Sequence, residues 1–131
     1  MTKHEIINPA SLGAPRGYSN GILAKQGRLL FVAGQIAWDG TRIVSDEFAA
    51  QFEKALQNVM TVVREAGGEP TDVCRLTIYV TDKQLYLSAL KEVGAAYRRV
   101  MERHFPAIAL VEVRGLVEDR AKVEIEATAV L

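Results

Sequence analysis

The sequence predicts an α+β fold, a single mixed β-sheet with two helices packed on one face. Three observations predict it. The run Lys122–Val130 alternates strictly. Lys122, Glu124, Glu126 and Thr128 point one way and Val123, Ile125, Ala127 and Ala129 the other, as in a strand with one buried face. Two longer segments carry apolar residues at helical spacing, each with one apolar stripe. Their order among the strand-like runs is β-β-α-β-α-β-β, and strand–helix–strand units favour crossovers packed on one sheet face.

Taken from the N-terminus, residues 1–16 read as an irregular arm, because Asn8-Pro9 and Ala14-Pro15 disfavour helix. Tyr18–Ala24 and Arg28–Ile36 read as strands around the turn Lys25-Gln26-Gly27, which suggests a hairpin. Ser45 offers an N-cap, with Asp46 and Glu47 suited to the helix dipole. Phe48, Phe52, Ala55, Leu56, Val59, Val63 and Ala66 then form one helix face. Gly67-Gly68 stops that helix and Pro70 keeps it stopped. Val73–Thr81 is the next strand, with Cys74, Leu76, Ile78 and Val80 on one face and Arg75, Thr77 and Tyr79 on the other. Asp82 or Thr81 caps a second helix over 83–103, whose stripe is Tyr86, Leu90, Val93, Tyr97, Val100 and His104. Ala107–Val113 and Lys122–Val130 complete the sheet.

A chain of 131 residues fits one domain, 1–131, and buries roughly two thirds of its unfolded surface. Sixteen basic and sixteen acidic residues cancel, and no basic stripe stands out. That weighs against a nucleic-acid or membrane-surface partner. The lone Cys74 cannot form an internal disulfide, which fits a reducing compartment. The N-terminal residues have no apolar segment of signal-peptide type, so a soluble cytoplasmic protein is expected. One Cys and two His give no metal-ligand cluster, and neither metal nor cofactor is expected. His4 sits in the arm, and His104 ends a helix, where a cation suits the dipole. Cys74 reads as a small buried hydrophobe.

The second sheet face is mixed. Phe31, Ala33, Tyr79 and either Val111 or Leu110 lie beside Arg75, Thr77, Glu124 and Glu126. A half-apolar face suggests burial by other copies of the chain.

The blocks GYSNG (17–21), LLFVAGQI (29–36), VCRLTIYVTD (73–82) and FPA…VEV…KVEIEATAV (105–130) occur in this order across nearly the whole chain. In this combination the sequence resembles the Rid (YjgF) family of small proteins, which includes enamine/imine deaminases. The resemblance implies a chorismate-mutase-like fold and a homotrimer with small-molecule sites in the clefts between subunits. In the family's deaminases an arginine just after FPA binds the substrate carboxylate, and a hydroxyl precedes the GQ pair. Here these positions are Ile108 and Ala33. An aliphatic side chain cannot make the bidentate pair of guanidinium with carboxylate.

Tyr18, Gly34, Gln35 and Glu124 match the family's pocket positions. Glu124 is the candidate general base or water-positioning group; its plainer reading is a solvated or ion-paired strand residue. Tyr18 is a candidate stacking or hydrogen-bonding group, or an interface aromatic. Arg16 and Arg114 are candidates to replace the missing arginine, each with the alternative of an ordinary surface residue. Trp38 is a candidate pocket wall or a packing residue.

Three functions compete. The first is a Rid-like trimer that binds a small metabolite, with 2-imino-acid deamination altered or absent. The second is a hydrolase of C=N bonds acting on a different substrate, one without an α-carboxylate, or using Arg16 or Arg114 instead of the missing arginine. The third is a ribonuclease or RNA-binding translation inhibitor, which zero net charge argues against. Ile108 with Glu124 suits a ligand with an apolar body and one hydrogen-bonding end.

Overall fold

The computed structural model describes residues 4–131; the first three residues of the predicted arm lie outside the described residues. Its main sheet has four strands, β3 (Leu29–Gln35), β4 (Val73–Val80), β5 (Ala107–Glu112) and β6 (Val123–Val130). Their order is β3-β6-β4-β5. β6 runs antiparallel to both β3 and β4, and β4 pairs parallel with β5. A separate two-stranded ribbon joins β1 (Glu5–Ile7) to β2 (Gly21–Leu23).

The expected hairpin does not form. β2 pairs with β1 in the arm, while β3 pairs with β6 from Leu29↔Val130 onward. A three-residue turn alone did not specify the partner. β6 presents Val123, Ile125, Ala127 and Ala129 to the core, all buried, so pairing with it lets β3 bury Val32 on the same face. The arm is tied down by His4, whose Nδ1 accepts the Lys25 N–H at 3.1 Å while Nε2 donates to the Val130 carbonyl at 2.8 Å.

Helix α1 (Phe48–Glu65) lays Phe52, Leu56, Val59, Met60 and Val63 on the sheet, each nearly inaccessible to solvent. It starts at Phe48 rather than directly after Ser45; the Ser45 hydroxyl instead accepts the Glu47 N–H at 3.0 Å. Its end is as expected. Gly67 takes φ 92°, its N–H reaches the Arg64 carbonyl, and the Gly68 N–H reaches that of Val63.

The predicted second helix is broken into α2 (Lys83–Leu87) and α3 (Leu90–Met101). Asp82 caps α2 through the Gln84 N–H at 2.9 Å. Val93, Tyr97 and Val100 are buried as the stripe requires, but Leu90 is half exposed beside the break. A bidentate pair, Arg99 with Glu53, links α3 to α1 at 2.7 and 3.0 Å.

Two sequence-level assignments are corrected. A β-bulge between Val73 and Arg75 shifts the face parity, so Val73 is buried and Cys74 is only half-buried. His104 lies three residues beyond the end of α3 rather than in its last turn. Its ring is buried, Nε2 lies 2.7 Å from the Val73 carbonyl oxygen, and its own carbonyl accepts the Tyr97 hydroxyl at 2.6 Å.

Candidate functional site

Glu124 is placed by the irregularity in β3. Between Val32 and Gln35 the strand spends one residue more than β6, a bulge at Ala33-Gly34. The side chain of Glu124 lies across it. A Cβ added at Gly34 would stand 2.5 Å from Oε2 and 2.8 Å from Cδ. Glycine leaves room here for the carboxylate arm, which a Cβ would force to shift. Gln35 folds back on the bulge, its Nε2 donating to the Ala33 carbonyl at 3.1 Å.

Cross-strand pairing places Tyr79 opposite Glu124 and Thr77 opposite Glu126. The Tyr79 hydroxyl is held above its usual range, first by desolvation, then by the charge and hydrogen bond of Glu126 and the charge of Glu124, against a smaller opposing effect of Arg75. The same open face carries Phe31, 73% exposed, with Leu29 and Val111 also exposed. It is half apolar, as the alternation implied.

Ile108 lies elsewhere. In the β4–β5 register Ile108 is level with Leu76, and Ala107, Ala109 and Val111 with Arg75, Thr77 and Tyr79. Ile108 therefore points to the helix side. There it lines a cleft of about 380 Å³ between α2, α3 and β5. The floor is Ile78, Ile108 and Leu110; Tyr97 and Phe105, stacked with centroids 5.3 Å apart, form one wall. Arg16, Tyr18 and Arg98 also line this cleft.

The sequence-predicted residues thus fall into separate groups within one protomer. Ala33, Gly34, Gln35 and Glu124 cluster at the bulge, near the Val80 end of β4. Arg16, Tyr18 and Ile108 share the cleft at the start of β5, where Ser19 bridges to Ala107 and donates its hydroxyl to the Phe105 carbonyl at 2.5 Å. Arg114 follows the far end of β5, in a surface depression with Asp46, Asp119 and Arg120. Trp38 pairs with Ile43 in a small loop and lines none of these clefts. The expected joint pocket of Ile108 with Glu124 is not formed by a single protomer, because a strand's alternation puts them on opposite faces.

Sequence reasoning missed Arg98, Tyr86 and Gly94 as cleft residues. The signal was a glycine inside a helical run, Gly94, one turn before Arg98. Among the described residues no group of three or more His, Cys, Asp and Glu is arranged to hold a metal ion, and no helix is long and apolar enough to cross a membrane.

A family model described as endoribonuclease L-PSP matches residues 9–131. The chain belongs to this family, the YjgF/Rid family. Among its Rid relatives, the protein named 2-iminobutanoate/2-iminopropanoate deaminase of Salmonella typhimurium is 35% identical over 126 residues, 93% of this chain and 91% of that one. The human protein of the same name is 29% identical, covering 99% of this chain and 91% of its own. The crystal structure of YyfB from Yersinia pestis, a Rid protein of unknown function, superposes with a TM-score of 0.88 at 33% identity, covering both chains fully. That of Escherichia coli TdcF with bound serine gives 0.67 at 29% identity, covering 91% of each chain.

Proposed function

We propose that this Rid protein is a homotrimer that binds a small metabolite between subunits, with weak or no deamination of 2-imino acids. Ile108 carries this reading. It stands where the resemblance puts the carboxylate-binding arginine, and its neighbours in the cleft are Ile78, Leu110 and Phe105. Assembly is supported by the exposed apolar sheet face around Phe31. It is also supported by the division of the pocket residues between two faces of the protomer, which a second copy would bring together. TdcF, of similar fold, has been crystallised with serine, so a ligand of metabolite size suits this family.

The test has two parts. Light scattering should give a trimer mass for the native chain and a smaller mass for Phe31→Glu; a monomer for the native chain would end the assembly claim. A coupled assay with 2-iminobutanoate should give rates roughly 30- to 1,000-fold below those of an arginine-bearing relative, the cost of one lost charge-assisted contact. Ile108→Arg should recover part of the difference. Native turnover equal to the relative's would overturn the reading and favour C=N hydrolysis with Arg16 or Arg114 binding the carboxylate and Glu124 positioning water. The description of the matched family keeps RNA cleavage as a third reading. Zero net charge weighs against it, and failure to cleave single-stranded RNA at low salt would remove it.

A further inference from the structure

Resting on the small-metabolite reading, we infer that the cleft between α3 and β5 takes an organic anion with an aromatic or branched apolar body, its charged end held by Arg16 and Arg98. The cleft residues point to this chemistry. No aspartate or glutamate is among them; its only charged side chains are the two arginines. Both arginines are exposed at the cleft mouth, and neither has an ion-pair partner among the described residues. Two unneutralised cations in one cleft of a chain with zero net charge favour a bound anion. Guanidinium groups suit a carboxylate in particular, because their planar fork donates two parallel hydrogen bonds.

The rest of the cleft sets the body of the ligand. Ile78, Ile108, Leu110 and Phe105 offer only apolar surface. The volume of about 380 Å³ falls in the range of about 300–1,000 Å³ typical of small-molecule pockets. A three- or four-carbon acid would leave much of that apolar surface wet. Gly94 widens the space: it sits inside α3, where glycine is a poor helix former, and a Cβ there would meet only the Arg98 guanidinium, at 3.7 Å. Ile108 thus has a positive role as the floor under an apolar group.

The probes are phenylacetate, its uncharged isostere phenylacetamide, and acetate, titrated into the full chain by calorimetry. Phenylacetate should bind about tenfold or more tightly than either of the others. Arg16→Gln and Arg98→Gln should each weaken phenylacetate about fivefold and leave phenylacetamide within twofold. Lys91→Gln, on α3 but outside the cleft, should change neither. Equal binding of acid and amide, or arginine variants that bind phenylacetate like the native chain, would overturn the anion assignment and leave the metabolite-binding reading standing. No binding of any probe by a correctly assembled trimer would overturn the assignment as well. If serine and other small metabolites also failed to bind, the metabolite reading would fall separately.

Discussion

Replacing Gly34 with alanine tests whether Glu124 is seated on the β3 bulge. The new Cβ would lie 2.5 Å from Oε2, 2.8 Å from Cδ and 3.0 Å from Cγ of Glu124. Gly34 is not among the glycines with positive φ, so alanine meets no backbone penalty at this position. What must move is the far end of a flexible side chain, at a cost of about 0.5–1.5 kcal/mol for a displaced rotamer. Against this, alanine stiffens the unfolded chain and returns about 0.4–1 kcal/mol. The single substitution should therefore lower stability by no more than about 1 kcal/mol, a shift of a few degrees in Tm. In a Glu124→Ala background the obstruction is gone, and the same substitution should be neutral or stabilising. Urea unfolding of the native chain, both single variants and the double variant, at one protein concentration, gives the coupling, expected near 1 kcal/mol. An equal effect of Gly34→Ala in both backgrounds would refute the placement of Glu124 on the bulge.

Two further outcomes follow from the loops. The fully buried Gln51 donates to the Ser45 and Arg120 carbonyls at 2.8 and 3.0 Å and accepts the Lys122 N–H at 2.8 Å. Gln51→Leu strands all of these groups and should cost about 3 kcal/mol in urea unfolding, with faster amide exchange at Lys122; a loss under about 1 kcal/mol would mean the loop re-forms its bonds with water. Asp39 is held down to about 2 from 3.8 by the backbone N–H groups of Thr41 and Arg42, then by the Thr41 hydroxyl. Its folded pKa is depressed, so the contribution of this turn is fully present above 3.8 and disappears as pH falls through about 2. NMR titration of Asp39 should show that low value, and Thr41→Val should move it upward; an unchanged value would exclude the hydroxyl as a cause.

Much of the fold was legible along the chain because it is local. The face of α1, the Gly67-Gly68 stop, the Asp82 cap and the alternation of β6 each depend on residues a few positions apart. The open face with Glu124, Glu126 and Phe31 was legible for the same reason. Partner choice was not. Tyr18–Ala24 and Arg28–Ile36 look like hairpin neighbours in sequence, yet their segments pair with strands at opposite ends of the chain. Parity at bulges is not legible either: alternation alone puts Cys74 in the core, and Val73 fills that place. The break at Ser88-Ala89 interrupts an apolar stripe that continues in the sequence without a breaker.

By itself the sequence determined the α+β class, the two-sided character of β6 and the kinship with the Rid proteins. These are properties of residue type and short-range spacing. Only the tertiary structure decided which candidate residues meet. The β4–β5 register turned Ile108 away from Glu124, and the extra residue in β3 brought Gly34 beneath that carboxylate. Chain crossing at the start of β5 put Arg16 and Tyr18 beside Ile108 and left Arg114 at the other end. A site is made of side chains distant in sequence, and their meeting depends on strand register, where a shift of one residue reverses the face each side chain sees.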